Sequence, residues 1–583
     1  TNKEQTGLGA VFDPAAYVRG QGPYLLGADG RPDLNRPNGF LLESRGEIPA
    51  GVYAEGPGVK FAPRLNVAWD MFGNGSTVLR GGAGVFYNRV QGNYQYVVQS
   101  LPPNLLNVSA NSWGAPNNDI TLDNLANFSP VTQAPGANCR VDGNCPGGFT
   151  SQNRFENGTP RIMTASVSMA RRLPFQNVLE VAWVGSFGRH LPQRRGLNFI
   201  LNPLTSGRFG TDCPNGPNCA DLSNPVHRAA IGASGASMAL LLPFPAYAGN
   251  GGGVQIQSFD GTSNYHSMQA TLNRQLGRSL QYFLTYTFSK ALGTTAVGES
   301  DGDQIVDPID TRGRNYGILP YDRTHIFNLS YNYNFPDLAR GGFRNWFTKG
   351  VLNGWQMSGI TTVQSGRPIR VRFTGAITGT SVLFSAFGNN GVAGGNSPSA
   401  SGIAPIVLRN ARTGDTDLNG RYLDVSAFAV PAFGTSGPFQ SPFYLRAPRT
   451  HNFDVTFFKN FNFTETKKLQ FRFGLFNIFN QAFANPDLGD IAGLNGQSLA
   501  INTLNPIDPS SVVRDANGNV TNAGHCYRVP EGTPTGTGRI AADSTLCDPT
   551  KGFVIDPASA GSFGQIVNKH GHRRVELAFK FYF

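Results

Sequence analysis

The string whose residue types best match a known chemistry is Asp415-Thr416-Asp417-Leu418-Asn419-Gly420. Oxygen-bearing side chains recur at alternate positions and a glycine stands sixth, as in the first half of an EF-hand-type calcium loop. Such a loop takes a bidentate Glu at its twelfth position. Here that position is Ser426, with Asp424 close by. Asp415, Asp417, Asn419 and Asp424 therefore form a candidate calcium set, and a plain solvated loop is the alternative. A second candidate is His570-Gly571-His572, followed by Arg573 and Arg574. Two imidazoles beside two cations make poor metal ligands, because the positive field opposes a metal ion. A loop-to-strand junction fits them better. The chain contains no P-loop, no G-x-S-x-G elbow, no H-E-x-x-H and no framed pair of carboxylates. No catalytic residue is assigned, and the chain reads as something other than an enzyme.

Six cysteines form three local pairs, Cys139 with Cys145, Cys213 with Cys219, and Cys526 with Cys547. All sit among Gly, Pro, Asn and Asp, in loops. Metal binding competes, but no second Cys or His pair accompanies them at ligand spacing. Three disulfide-closed loops in an oxidising compartment are the expectation.

Composition narrows the class further. Of the 583 residues, 72 are Gly and 42 are Phe, while charged residues make up only 15%; about a quarter is usual. No stretch approaches the roughly 18 unbroken apolar residues of a membrane helix. Mean hydropathy is −0.23, a value a β-barrel also gives, because every second wall residue faces water. The net charge is +11, but the basic residues are scattered apart from short clusters such as Arg189-His190-Leu191-Pro192-Gln193-Arg194-Arg195. Nothing resembles a basic helix, a zinc finger or an RNA-binding sheet, so nucleic acid is not expected as a partner. Thr1-Asn2-Lys3-Glu4-Gln5 has no signal-peptide pattern. The numbering is therefore expected to start at a mature end or partway into a longer chain.

The elements that must position these residues are strands. The last is the clearest: Val575, Leu577, Phe579, Phe581 and Phe583 alternate with Glu576, Ala578, Lys580 and Tyr582. That two-residue period suits a strand with lipid on one face and water on the other. Before it the same unit recurs five times, as two alternating strands joined by a tight turn. The first joins 64–71 to 77–89 through Gly73-Asn74-Gly75-Ser76. The fourth has the cleanest alternation, with Phe327, Leu329, Tyr331, Tyr333 and Phe335 against Asn328, Ser330, Asn332 and Asn334. Long loops near 91–159, 191–262, 294–321, 366–449 and 482–570 separate the units, and residues 1–60 read as an irregular extracellular loop region. The expected fold is all-β: a transmembrane antiparallel β-barrel with about eleven strands of 9–11 residues, short periplasmic turns and long extracellular loops. Its first and last strands both run downward. The sequence thus reads as the C-terminal part of a larger barrel, with residues 61–583 carrying that half. Outer-membrane lipid is the implied surroundings.

At this level the chain resembles the barrel of TonB-dependent outer-membrane receptors, in their Oar-like branch. The resemblance rests on Phe61-Ala62-Pro63-Arg64 with Trp69-Asp70-Met71-Phe72-Gly73-Asn74-Gly75 and Leu79-Arg80-Gly81-Gly82. It extends to Asn353-Gly354-Trp355-Gln356 through Ser365-Gly366-Arg367-Pro368, to Arg449-Thr450-His451-Asn452-Phe453-Asp454-Val455 with Phe458-Lys459-Asn460-Phe461, to Phe471-Arg472-Phe473 through Phe479-Asn480, to Gly564-Gln565-Ile566, and to Phe583. It implies a barrel of about 22 strands filled by a plug, with uptake energised by the TonB complex. The N-terminal plug and barrel half would be partners from the same protein. It also implies that Phe579, Phe581 and Phe583 form a signal for the barrel-assembly machinery. The function expected is ligand binding by the long loops and energised import. A surface-interaction or assembly scaffold and a passive porin are the alternatives.

Overall fold

The computed structural model describes residues 9–48, 58–88, 149–197, 254–294, 316–375, 405–429, 444–504 and 561–583, less short internal gaps, together with brief segments at 101, 244–247, 303–304, 513–514, 520–522 and 554–555. Eleven strands form one continuous antiparallel ladder. In chain order they are β1 (Arg64–Asp70), β2 (Thr77–Tyr87), β3 (Arg161–Leu173), β4 (Asn177–Gly196), β5 (Val254–Arg274) and β6 (Leu280–Gly293). They continue as β7 (His325–Asn334), β8 (Trp355–Gln364), β9 (Thr450–Asn462), β10 (Lys468–Phe476) and β11 (Arg574–Tyr582). Each pairs with its neighbours in sequence, so the wall is an up-and-down meander. These are the strands that the alternating pattern identifies.

Register makes the pattern two-dimensional. One apolar row runs Leu272–Leu284–Leu329–Thr361–Phe453 across β5 to β9. Another runs Met357–Phe457–Phe473–Leu577 across β8 to β11. Between such rows lies the polar row Gln281–Asn332–Ser358–Thr456–Gly474–Glu576. A slip of one residue in any pairing would exchange the two faces of that strand, and none occurs along these rows. The apolar face carries large exposed side chains, including Val67, Trp183, Met268 and Phe579. Gly359 has a steric role on this face. A Cβ there would stand 2.5 Å from the Tyr331 ring and 2.7 Å from the Asp454 carbonyl.

The connections sort by length. Those after β1, β3, β5, β7 and β9 are short and share one end of the sheet; those after β2, β4, β6, β8 and β10 are long and share the other. The first short turn is closed by Asp70, whose carboxylate accepts from the Gly75 amide at 2.7 Å, with Gly73 and Gly75 at positive φ. Exposed aromatics gather near this end, among them Trp69, Phe335, Phe461 and Phe581.

Three local expectations need correction. The stretch read as an irregular loop at 1–60 folds between Ala10 and Arg45 into four short strands and two single-turn helices. Its apolar residues, Ala10, Phe12, Phe40 and Leu42, are buried against Phe149, Phe244, Tyr247 and Val254 from distant segments. That burial leaves no periodic trace in a three-residue strand. The loop expected at 191–262 is shorter at both ends, because β4 runs to Gly196 and β5 starts at Val254. These extensions exceed the length needed to cross a membrane, so no lipid face imposes alternation on them. They pair with each other through irregularities at Ser258, Gly261 and Ser263. Finally, the connection after β7 contains a helix, α1 (Trp346–Leu352), started by an Asn345–Thr348 capping box.

The opposed faces predict opposed responses to charge. Val455→Arg, on the apolar face of β9, is expected to lower unfolding stability in lipid vesicles by about 2–4 kcal/mol, while the adjacent Thr456→Arg changes it little. Urea titration followed by tryptophan fluorescence checks both.

Candidate functional site

The polar face of the wall is the first part of the site. Its side chains are joined to one another rather than left as isolated groups. Arg472 Nε donates to Gln470 Oε1 at 2.7 Å, and Gln470 Nε2 donates to Asn460 Oδ1 at 2.9 Å. Gln356 Nε2 donates to Asn332 Oδ1 at 2.6 Å. Asp454 accepts from the Asn452 amide group at 2.7 Å and from the Asn477 backbone N–H at 2.8 Å. Arg80 and Glu180 approach to 3.9 Å on the same face. Such a surface offers mixed donors and acceptors to water or a polar solute.

The second part is the rim where β6, β7 and β8 meet the long loops. Asp322 has a fully buried side chain and forms an ion pair with Arg446. Its carboxylate also accepts from the Ala291 N–H at 2.6 Å, and Arg446 reaches the Gly366 carbonyl at 3.2 Å. The pair ties the loop before β9 to the strand ends. Removing one partner of such a buried pair typically costs about 3–5 kcal/mol. Burial pushes the Arg323 guanidinium below its usual range, the positive Arg446 adds to that, and Asp322 opposes it.

The third part is the loop layer, which among the described residues holds buried apolar clusters of its own. One joins Ile369, Val371, Tyr422, Leu423, Phe428, Leu445, Ile491, Phe563 and Ile566. Beside it, buried Asp490 accepts from the Asn485 N–H at 2.7 Å and lies 2.9 Å from His570 Nε2. Another cluster holds five aromatic rings, Phe12, Phe40, Phe149, Phe244 and Tyr247, with edge-to-face contacts of 5.0–6.0 Å. The Tyr247 hydroxyl lies 2.6 Å from the Asn38 carbonyl and 3.0 Å from that of Pro23. Burial raises its pKa well above the ordinary range for tyrosine. Sequence reasoning missed both the Asp322–Arg446 pair and the Tyr247–Asn38 contact. The partners stand 124 and 209 residues apart, and nothing near either partner marks the other.

The structure does not assemble the calcium set. Among the described residues no three His, Cys, Asp or Glu side chains gather as a metal group. Asp424 is taken up elsewhere: it pairs with Arg409 at 2.7 Å and accepts from the Ser426 N–H at 2.9 Å, capping a helical turn at Val425–Ala427. Asp415 turns inward on its own loop and accepts from the Asp417 N–H at 2.9 Å. Asn419 adopts φ +64° and donates its N–H to the Ile566 carbonyl at 2.8 Å. The motif's spacing therefore serves an Asx turn docked on the loop cluster. His570 and His572 stand at the loop-to-strand junction before β11, where His570 and Phe483 exchange backbone hydrogen bonds. Phe579, Phe581 and Phe583 project from the outer face of β11, with 72%, 53% and 94% of their surfaces exposed. Cys139, Cys145, Cys213, Cys219, Cys526 and Cys547 lie outside the described residues.

An amphipathic antiparallel wall of tilted-strand length, with its turns at one end and its loops at the other, defines an outer-membrane barrel protein. The model of the outer membrane beta barrel domain family matches residues 1–502, and the chain belongs to that family. No curated protein matches the sequence. Among solved structures, the outer membrane transporter YddB from Escherichia coli is similar at 8% identity and TM-score 0.33, over 73% of this chain and 37% of that one. The ferric-catecholate import receptor Fiu from K12 E. coli is similar at 9% identity and TM-score 0.30, over 75% and 32%. The ferripyoverdine receptor of Pseudomonas aeruginosa is similar at 8% identity and TM-score 0.30, over 76% and 31%. The chain thus spans about a third of the length of each.

The Asp424 cap carries a pH signature. Hydrogen bonds from Arg409 and Ser426 hold its carboxyl down to about 2, against an ordinary 3.8. A depressed carboxyl stabilises the fold above its ordinary value, and that contribution disappears as pH falls through about 2. Hydrogen exchange at the Ser426 amide is expected to quicken over that window in the wild type. In Asp424→Ala, which removes the acceptor, it is expected to be fast already at neutral pH.

Proposed function

We propose that this chain is the C-terminal wall of a larger, plugged, TonB-dependent outer-membrane transporter, with the turns periplasmic and the loops binding ligand outside. One observation carries the reading. Ten antiparallel pairings separate β1 from β11, so the two edge strands run in the same direction. Closing them directly would need a parallel seam in an otherwise antiparallel wall. Neither strand has a second partner among the described residues. An open edge in hydrocarbon leaves backbone groups unpaired at several kcal/mol each. Further strands from the same protein, supplied upstream, would satisfy both edges. The residues 10–48 and the long loops would then form the outer layer. A plug would occupy the polar lumen and couple to the TonB complex, and Phe579, Phe581 and Phe583 would engage the barrel-assembly machinery during insertion.

Two measurements test this. In the complete protein in its membrane, the double variant Val67→Cys/Leu577→Cys is expected to show no cross-link between β1 and β11. An efficient cross-link would mean that the chain closes on itself and would overturn the larger-barrel reading. In planar bilayers under KCl the complete protein is expected to stay electrically silent. A steady open-channel conductance would favour the porin.

A further inference from the structure

The connection after β7 holds a helix, and that helix carries its apolar residues outward. Trp346, Phe347 and Val351 expose 86%, 59% and 47% of their surfaces, and nearby Leu338 exposes 66%. At about 100° per residue, Trp346, Phe347, Gly350 and Val351 fall within one arc of roughly 140°, with Lys349 on the far side. In water such a face would be a liability.

Two side chains fix where the helix sits. Trp355 Nε1 donates to the Val351 carbonyl at 2.7 Å. The Lys459 ammonium donates to the carbonyl of Asn353, the residue that caps the helix C-terminus. Trp355 and Lys459 are register partners on β8 and β9, in the same row pattern as Met357 and Phe457, and so belong to the apolar face. Lys459 is a cation within that face. Its ammonium stands 5.5 Å from the Trp355 ring and 5.0 Å from the Phe461 ring, and it reaches the last carbonyl of a helix, where positive charge is favoured. Lys459 is buried, with 3% of its surface exposed, so its ammonium is held by the Asn353 carbonyl and the two rings rather than by water. The end of α1 is therefore tied to the outer side of the wall, level with the aromatic residues at the turn end.

We propose that α1 is an interfacial anchor that lies in the headgroup region of the adjoining lipid leaflet, with Trp346, Phe347 and Val351 directed at the acyl chains. Its apolar arc continues the lipid-facing surface of β8 and β9 beyond the last ladder hydrogen bond. Lys349, on the opposite arc, meets water and phosphate. This is the arrangement of an amphipathic helix lying along a membrane.

The test compares the complete protein with its Trp346→Phe variant in phosphatidylethanolamine–phosphatidylglycerol vesicles. The difference between the two isolates the fluorescence of Trp346. Lipids brominated near the headgroup end of the acyl chain are expected to quench that component about twofold, and more than lipids brominated near the chain terminus. Quenching by aqueous iodide with no effect of brominated lipid would place the helix in water and overturn the proposal. Protection from both quenchers would also overturn it, and would assign the face to a protein partner.

Discussion

Hydrocarbon offers no hydrogen bonds, so every backbone N–H and C=O crossing it must find a partner within the protein. The eleven-strand ladder is this chain's answer to that constraint, and the remaining features follow from it. Strict alternation follows because one face of each strand meets lipid and the other meets water. Unbroken register follows because a one-residue slip would send Asn332, Gln470 and their neighbours into lipid and bring Phe457 and Phe473 into the lumen. The separation of short turns from long loops follows from the meander order.

Where the constraint stops, the architecture changes. Beyond the membrane span, β4 and β5 continue as a polar ladder with irregular register. The loops bury separate cores of their own, one rich in aromatic rings and one built from aliphatic residues and Phe. Polar groups hold these cores in place: Asn38 donates to the Val18 and Gly22 carbonyls and accepts from the Val18 N–H, and Asp490 binds His570 and the Asn485 amide. A loop layer organised in this way can present a shaped surface to a ligand, which a set of independent coils could not. At the opposite end, α1 exposes a tryptophan, and the buried Lys459 ties its C-terminal cap to the wall.

The candidate calcium loop has a spacing that suits two uses. Alternate Asp and Asn residues followed by Gly also suit Asx turns, because these side chains accept from amides two residues on. Asp415 does so with Asp417, and Asp424 with Ser426. Asp424 also pairs with Arg409. The two stand 15 residues apart in the chain, which hides that pairing from any spacing rule.

By itself the sequence determined the wall. A period of two is a local property, and lipid on one face and water on the other write it into each strand, so all eleven strands and the sorting of turns from loops were legible. Tertiary structure alone decided the rest. Three of the four strands at 10–42 have only three residues, too few to show a period, and Phe149, Phe244 and Tyr247, against which they pack, lie more than a hundred residues away. The Asp322–Arg446 and Tyr247–Asn38 contacts join segments that share no local pattern. Helix α1 is a seven-residue element inside a turn, below the length at which helical periodicity can be read. Local patterning records what the solvent on each side demands of a strand. It does not record which distant segment fills the space beside a buried carboxylate or a phenol.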